Sequence, residues 1–194
     1  MSQVRKWQDA QTLADLGECT ALWLEDRLDP IPARRPITFE GNTDKLRTLL
    51  VQLNRSGRLI TVQAQPGCTD MRGGRRMGGV APFQRAAVMG FMPASQGGLL
   101  SSVFSRHPGL TVRFEKAGLR TRRADIAVAA DSLRQPSGFY GTLLSRHAIG
   151  RHYKGMSPKL IAALQGAFQV TIVDTEWGRN ELIWPRLRRL AEMS

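Results

Sequence analysis

The clearest hydrophobic pattern in the chain is a helix, a turn and a strand in direct succession. The leucines of residues 46–53 stand at i, i+3, i+4 and i+7, the apolar stripe of an amphipathic helix. Asn42 or Thr43 is placed to cap the start of this helix, and Gly57 supplies the positive φ angle that commonly ends one. Residues 59–62 are apolar and partly β-branched, so they predict a buried strand.

The remaining pattern alternates between helices and strands. Apolar spacing and capping residues predict helices over residues 5–28, 95–104, 157–165 and 180–192. Apolar runs predict strands over residues 83–91, 110–114, 125–130 and 168–174. Residues 132–155 show no clear period, and residues 135–138 predict a turn. Together these elements predict an α/β fold, a mixed β-sheet core flanked by helices.

The prolines of residues 30–36 interrupt the pattern and predict a connector. We therefore expect residues 1–36 to form an N-terminal helix and Pro-rich connector, and residues 37–194 to form the α/β domain. No run approaches the roughly 18 apolar residues of a membrane span, so no membrane partner is expected. Cys19 and Cys68 show no disulfide or metal spacing, which predicts a reduced, cytoplasmic protein.

Polar side chains follow the first predicted strand to its end. Thr61, Gln63 and Gln65 stand along or just beyond its carboxyl end, where open α/β sheets hold ligands. This placement predicts a small-molecule site. The structural alternative is that Thr61 and Gln65 satisfy backbone groups at a strand end.

Three blocks of the sequence also carry a family resemblance. Residues 53–66 read Leu-Asn-Arg-Ser-Gly-Arg-Leu-Ile-Thr-Val-Gln-Ala-Gln-Pro, residues 83–91 read Phe-Gln-Arg-Ala-Ala-Val-Met-Gly-Phe, and residues 168–174 read Phe-Gln-Val-Thr-Ile-Val-Asp. In this order they resemble the C-terminal regulatory domain of eukaryotic methylenetetrahydrofolate reductase, over residues 38–192 and without its catalytic barrel. They are also similar to a family of small uncharacterised actinobacterial proteins.

The resemblance implies a ligand as well as a fold. The regulatory domain binds S-adenosylmethionine through a Glu-Thr pair at a helix start and a Thr-x-x-Ser-Gln segment. With one residue inserted after Gly57, the pair falls on Asn42 and Thr43, and the segment falls on Thr61, Ala64 and Gln65. Together with Gln63 of the strand exit, the resemblance implies a non-catalytic site for S-adenosylmethionine, S-adenosylhomocysteine or a related adenosyl ligand at Asn42, Thr43, Thr61, Gln63 and Gln65.

Two positions depart from the family pattern. Asn42 stands where the family has Glu, and Ala64 stands where it has Ser. The lost carboxylate removes a charge-assisted hydrogen bond worth about 1.5–3 kcal/mol. The chain's positive charge further disfavours a cationic ligand, so the neutral sulfur of S-adenosylhomocysteine is penalised less.

Charge supports an alternative function. The chain has 28 basic and 16 acidic residues, a formal net charge of +12. Its arginine clusters predict a basic adaptor that binds nucleic acid or an acidic protein, with a degenerate ligand site. The residues proposed for that contact are Arg75, Arg76, Arg120, Arg122, Arg123, Arg186 and Arg189. The structural alternative is a solvated basic surface.

No pattern in the sequence supports catalysis or metal binding. His147 and His152 are five residues apart, which is not the spacing of a helical metal pair, and no Cys lies near them. The acidic residues Asp174, Glu176 and Glu181 could position an acid–base pair, but a turn and a helix start are the preferred interpretation. We therefore expect a non-enzymatic protein without a metal. The sequence does not predict its oligomeric state.

Overall fold

A computed structural model describes residues 7–29, 43–69, 83–104, 107–119, 125–131 and 133–193. The helices that lie wholly within these ranges are α1 (Leu13–Leu24), α2 (Thr43–Arg55), α3 (Gly97–Phe104), α4 (Arg146–His152), α5 (Pro158–Gly166) and α6 (Ile183–Glu192). The strands are β1 (Ile60–Gln65), β2 (Phe83–Met92), β3 (Leu110–Lys116), β4 (Ile126–Ala130), β5 (Pro136–Tyr140) and β6 (Phe168–Trp177). The predicted α/β fold with a sheet core flanked by helices is confirmed.

The six strands form one branched antiparallel sheet. Its main path runs in the order β3-β6-β2-β4-β5, and β1 also pairs with β2. Because β6 lines one edge of β2, β1 and β4 share the other edge. β1 pairs with β2 from Ala87 to Phe91, and β4 takes over at Phe83 and Gln84. The sheet therefore forks beside Arg85 and Ala86.

Helices cover both faces of this sheet. Along β2, Ala87 and Met89 enter one buried core, whereas Ala86 and Val88 enter the other. Successive strand residues point to opposite faces, so the two cores lie on opposite sides of the sheet. Helices α4 and α5 pack in the first, which we call the α5-side core. Helices α2, α3 and α6 pack in the second, the α2-side core.

Helix α1 contributes to both cores. Leu16 and Leu22 are buried in the α5-side core, and Ala21 and Leu24 in the α2-side core. A capping box starts the helix at Thr12, which is why it is shorter than the predicted helix over residues 5–28. The N-terminal helix thus packs against the α/β domain, while the domain boundary predicted at residue 36 lies outside the described residues.

The predicted helix–turn–strand unit is present. Helix α2 ends at Arg55, Gly57 has a φ angle of +67°, and β1 begins at Ile60. The predicted helix over residues 157–165 is also present as α5, with Ser157 as N-cap and Pro158 in the first turn. Both predictions depended on capping and turn residues, whose conformational preferences are local.

The turn predicted at residues 135–138 was wrong. The predicted turn at 135–138 overlaps β5, and the weakly patterned segment after it contains α4. β5 exposes most of its side chains as an edge strand, and α4 buries little besides Ile149, so neither has a strong hydrophobic period. No helix within the described ranges has the length and apolar character needed to cross a membrane.

Candidate functional site

Most residues of the predicted adenosyl site lie on α2 and β1. Residues 56–59 reverse the chain, so α2 and β1 lie side by side. From Asn54, α2 extends back to Thr43 by about 17 Å at 1.5 Å per residue. From Thr61, β1 extends to Gln65 by about 13 Å. The helix start and the strand exit are therefore at the same end of the unit, whereas Asn42 lies outside the described residues.

Thr61 is a buried residue that forms hydrogen bonds within the fold. It is fully buried, and its hydroxyl accepts a 2.7 Å hydrogen bond from Asn54 Nδ2. The Thr61 N–H donates to Asn54 Oδ1 at 2.9 Å, and Asn54 Nδ2 also donates to the Leu50 carbonyl at 2.7 Å. The Asn and Thr of the motif that carries the family resemblance thus bond each other across the α2–β1 turn.

Gln65 joins three strands at the fork of the sheet. Its Nε2 donates to the Arg85 carbonyl on β2 at 3.0 Å and to the Val128 carbonyl on β4 at 2.9 Å. These are the carbonyls beside the point where β1 ends and β4 begins. The amide therefore substitutes for backbone pairing, which matches the structural alternative stated for this residue.

Gln63 is the exposed member of the predicted set. The pairing of β1 with β2 has an irregularity between Thr61 and Gln63. Leu59 and Ala64, an odd number of residues apart, both enter the α2-side core, so the alternation of side chains shifts there by one residue. Thr61 and Gln63 consequently lie on opposite faces of the strand.

The acidic group at the end of β6 is a structural cluster. Asp174 is fully buried, and Arg179 Nε donates to its two carboxylate oxygens at 2.8 and 3.0 Å. Arg179 also donates to the Gly109 carbonyl at 2.9 Å and to Glu176 at 2.6 Å. The hydrogen bond to Asp174 raises the pKa of the Arg179 guanidinium. Every partner is in a neighbouring strand end or turn, in agreement with the predicted turn, whereas the predicted acidic helix start was wrong because α6 has no acidic residue in its first turn.

The predicted arginine clusters are only partly described. Arg75, Arg76, Arg120, Arg122 and Arg123 lie outside the described residues. Arg186 and Arg189 are on α6, whose apolar residues face the α2-side core. Arg189 is exposed, whereas Arg186 is half-buried and donates to the Leu182 carbonyl at 2.9 Å.

A second basic surface lies on the opposite face of the sheet, where no cluster was predicted. It is formed by the exposed residues of α4 and α5 and their connection, and we call it the α4–α5 surface. Its members are Arg146, His147, Arg151, His152, Lys154 and Lys159. Ile149 of α4 and Tyr153, the C-cap residue of α4, are fully buried.

Local sequence positions this pair of helices. Ser145 caps α4 by accepting from the Ala148 N–H at 3.2 Å, and Ser157 caps α5 by accepting from the Leu160 N–H at 3.1 Å. Gly155 between them has a φ angle of +88°, which reverses the chain. Before α4, the buried Gln169 side chain bonds the backbone of residues 142 and 144, which anchors the helix pair to β6.

The α4–α5 surface differs from the basic residues between α1 and α2 in its lack of ion pairs. Residues 132–173 contain no Asp or Glu. Arg146, Arg151 and Lys154 form no ion pair with the part of the chain that the structure describes. Between α1 and α2, by contrast, Arg55 pairs with Glu25 at 2.7 Å and Arg47 pairs with Asp26 at 2.7 Å.

The sequence signal for this surface was the absence of acidic residues. The predicted clusters were runs of closely spaced arginines, whereas the basic residues of α4 and α5 are separated by several positions. Helical geometry brings them to one side, because residues three and four positions apart, such as His147 and Arg151, share a helix face. Within the described ranges, no group of three or more His, Cys, Asp or Glu side chains is arranged to hold a metal ion.

Comparison with known proteins gives one family. The sequence model of a domain family, described as a domain of unknown function (DUF6919), matches residues 2–193. A search of curated proteins finds no match to the chain.

Proposed function

We propose, from its charge and geometry, that the chain is a basic adaptor that binds nucleic acid. The chain belongs to the DUF6919 family, a domain of unknown function. The observation that carries the proposal is the α4–α5 surface, whose exposed Arg and Lys side chains come from a stretch without Asp or Glu and form no ion pair with a described acidic residue. When unpaired Lys and Arg side chains contact phosphates, counterions condensed on the nucleic acid are released, which drives binding without sequence preference. The contact is non-catalytic, consistent with the absence of a catalytic pattern in the sequence.

The composition of the surface favours nucleic acid over an acidic protein. Stable protein interfaces have an apolar or aromatic centre that becomes buried on association. The large hydrophobic side chains that are exposed in the described residues are Leu119, Leu133 and Phe139, and none is on α4 or α5. Arg146 and Arg151 instead offer planar guanidinium groups, which fit phosphate oxygens bidentately.

The test is a salt titration of binding to a fluorescent duplex of about two helical turns, followed by anisotropy. If Arg146, Arg151, Lys154 and Lys159 each neutralise a phosphate, log K falls with log salt concentration at a slope of about −3.6. The variant R151Q/K154Q removes two such contacts and should reduce the magnitude of the slope by about two.

A matched variant controls for total charge. R27Q/K45Q removes the same formal charge from exposed positions near α1 and α2. It should leave the slope nearly unchanged, because those residues are outside the α4–α5 surface. Equal losses in both variants would contradict the proposal, and so would poly-glutamate binding as tightly as DNA, which indicates an acidic protein partner.

A second function is supported by the α2–β1 unit. We propose that S-adenosylmethionine, S-adenosylhomocysteine or a related adenosyl ligand binds where the start of α2 and the exit of β1 share one end. Gln63 is exposed near the exit of β1, on the face of the strand away from α2, and its amide makes no hydrogen bond to the described part of the chain. The hydroxyl of Thr61 and the amide of Gln65 already have partners within the fold, so the ligand has fewer available groups than the family resemblance implies.

This second proposal is tested by thermal unfolding with each ligand. A ligand at about a hundred times its Kd stabilises the folded state by about 2.7 kcal/mol. For a chain of this length, that corresponds to an increase in Tm of about 5–11 °C. The Q63A variant should lose part of the increase, whereas an unchanged Tm with millimolar ligand would exclude the site.

A further inference from the structure

The chain has exposed cations on both faces of its sheet. Arg188 and Arg189 lie on the outer side of α6, opposite the buried Ile183 and Leu187. Neither arginine forms an ion pair with a described acidic residue. We call these two arginines the α6 surface.

The two surfaces face away from each other. Helix α6 packs in the α2-side core, and α4 and α5 pack in the α5-side core. Since alternate residues of β2 enter the two cores, the whole sheet separates the α6 surface from the α4–α5 surface. One rigid duplex therefore cannot follow both surfaces without bending around the protein.

The separation also allows two duplexes to bind together. Two helical layers and one sheet place the outer surfaces roughly 30 Å apart. Electrostatic repulsion between phosphate backbones is screened over about 10 Å at about 0.1 M salt. Duplexes on opposite faces would thus be separated by several screening lengths, with the basic protein between them.

We propose that one copy of the chain bridges two segments of nucleic acid, one on the α4–α5 surface and one on the α6 surface. This inference rests on the proposed binding of nucleic acid through the α4–α5 surface. Charge complementarity favours nucleic acid as the occupant of the α6 surface, because Arg188 and Arg189 are both exposed and form no ion pair with a described acidic residue. The function is then to hold nucleic-acid segments together.

The experiment uses a biotinylated duplex on beads and a second, fluorescent duplex in solution. The full-length chain is added until the tethered duplex is saturated, and the retained fluorescence is measured. We expect retention by the unaltered chain. R188Q/R189Q, compared at equal occupancy of the tethered duplex, should reduce retention to the level of protein-free beads, whereas R27Q/K45Q should retain the second duplex.

The outcomes separate this inference from the proposed function. Absence of binding to a single duplex contradicts the nucleic-acid proposal itself. Binding of a single duplex without retention of a second overturns only the bridging inference. Retention that persists in R188Q/R189Q also overturns it, since a dimer presenting two α4–α5 surfaces would give that result, and equal loss in R27Q/K45Q would indicate an effect of total charge.

Discussion

The buried pair formed by Asn54 and Thr61 gives the sharpest stability prediction. The variant N54A removes the acceptor of the Thr61 N–H and two hydrogen bonds from Asn54 Nδ2. A buried donor left without its partner costs about 1–3 kcal/mol, and each ordinary hydrogen bond contributes about 1 kcal/mol. We expect the free energy of unfolding to fall by about 3 kcal/mol, or the Tm to fall by about 6–12 °C.

The variant T61V isolates the hydroxyl. Valine keeps the shape of threonine and the backbone N–H bond to Asn54, and the Asn54 amide still donates to Leu50. The expected loss is about 1 kcal/mol. If the Thr61 hydroxyl served a ligand alone, the ligand-free T61V protein would be as stable as the original or more so, because Val favours strands.

The assay is urea unfolding of both single variants and the double variant. The double-mutant cycle should give a coupling energy of about 1 kcal/mol between the two side chains, with equal m values. A loss below about 1 kcal/mol in N54A, or additive effects in the double variant, would refute the assignment of this pair to the fold.

Three further predictions follow from other contacts. G90A should lower stability by about 1–3 kcal/mol, because a Cβ at Gly90 would overlap the Ile60 carbonyl, whereas G98A, whose Cβ points into open space on α3, should raise the Tm slightly. Q65L should speed amide exchange in β4, because it removes two hydrogen bonds at the fork; unchanged exchange would contradict that role. Hydrogen bonds from the Gln11 backbone lower the pKa of Asp15, and Arg55 lowers that of Glu25. The stability that each carboxylate contributes is therefore complete above its ordinary pKa, 3.8 for Asp15 and 4.5 for Glu25, and is lost as pH falls through the lower pKa of the folded state. The Tm of D15N should consequently decrease less on acidification than the Tm of the original chain.

The sequence predicted elements that depend on local interactions. Gly57 and Ser157 each have one favoured role at a helix end, and both have that role in the structure. β5 was missed because an edge strand needs no buried face, and its pairing with β4 is a tertiary contact. Spacing alone could not have shown the irregularity after Thr61, which places neighbouring polar residues on different faces.

The candidate sites were predictable to different degrees. The sequence placed Thr61 and Gln65 at a strand exit, but their partners Asn54, Arg85 and Val128 come from three different elements. Only the structure shows that these polar groups already have hydrogen-bond partners within the chain. The α4–α5 surface could have been predicted, since a stretch without acidic residues can be read directly from the sequence.

The fork of the sheet has a consequence for local unfolding. The β4–β5 hairpin joins β2 only through Phe83 and Gln84 among the described pairings, and the Gln65 amide reinforces that junction. Hairpins held by so few ladder bonds open at lower free energy than a central strand paired along its length. Ile126, Val128 and Tyr140 of the hairpin are buried in the α5-side core, so opening of the hairpin would be opposed mainly by side-chain packing and not by strand pairing.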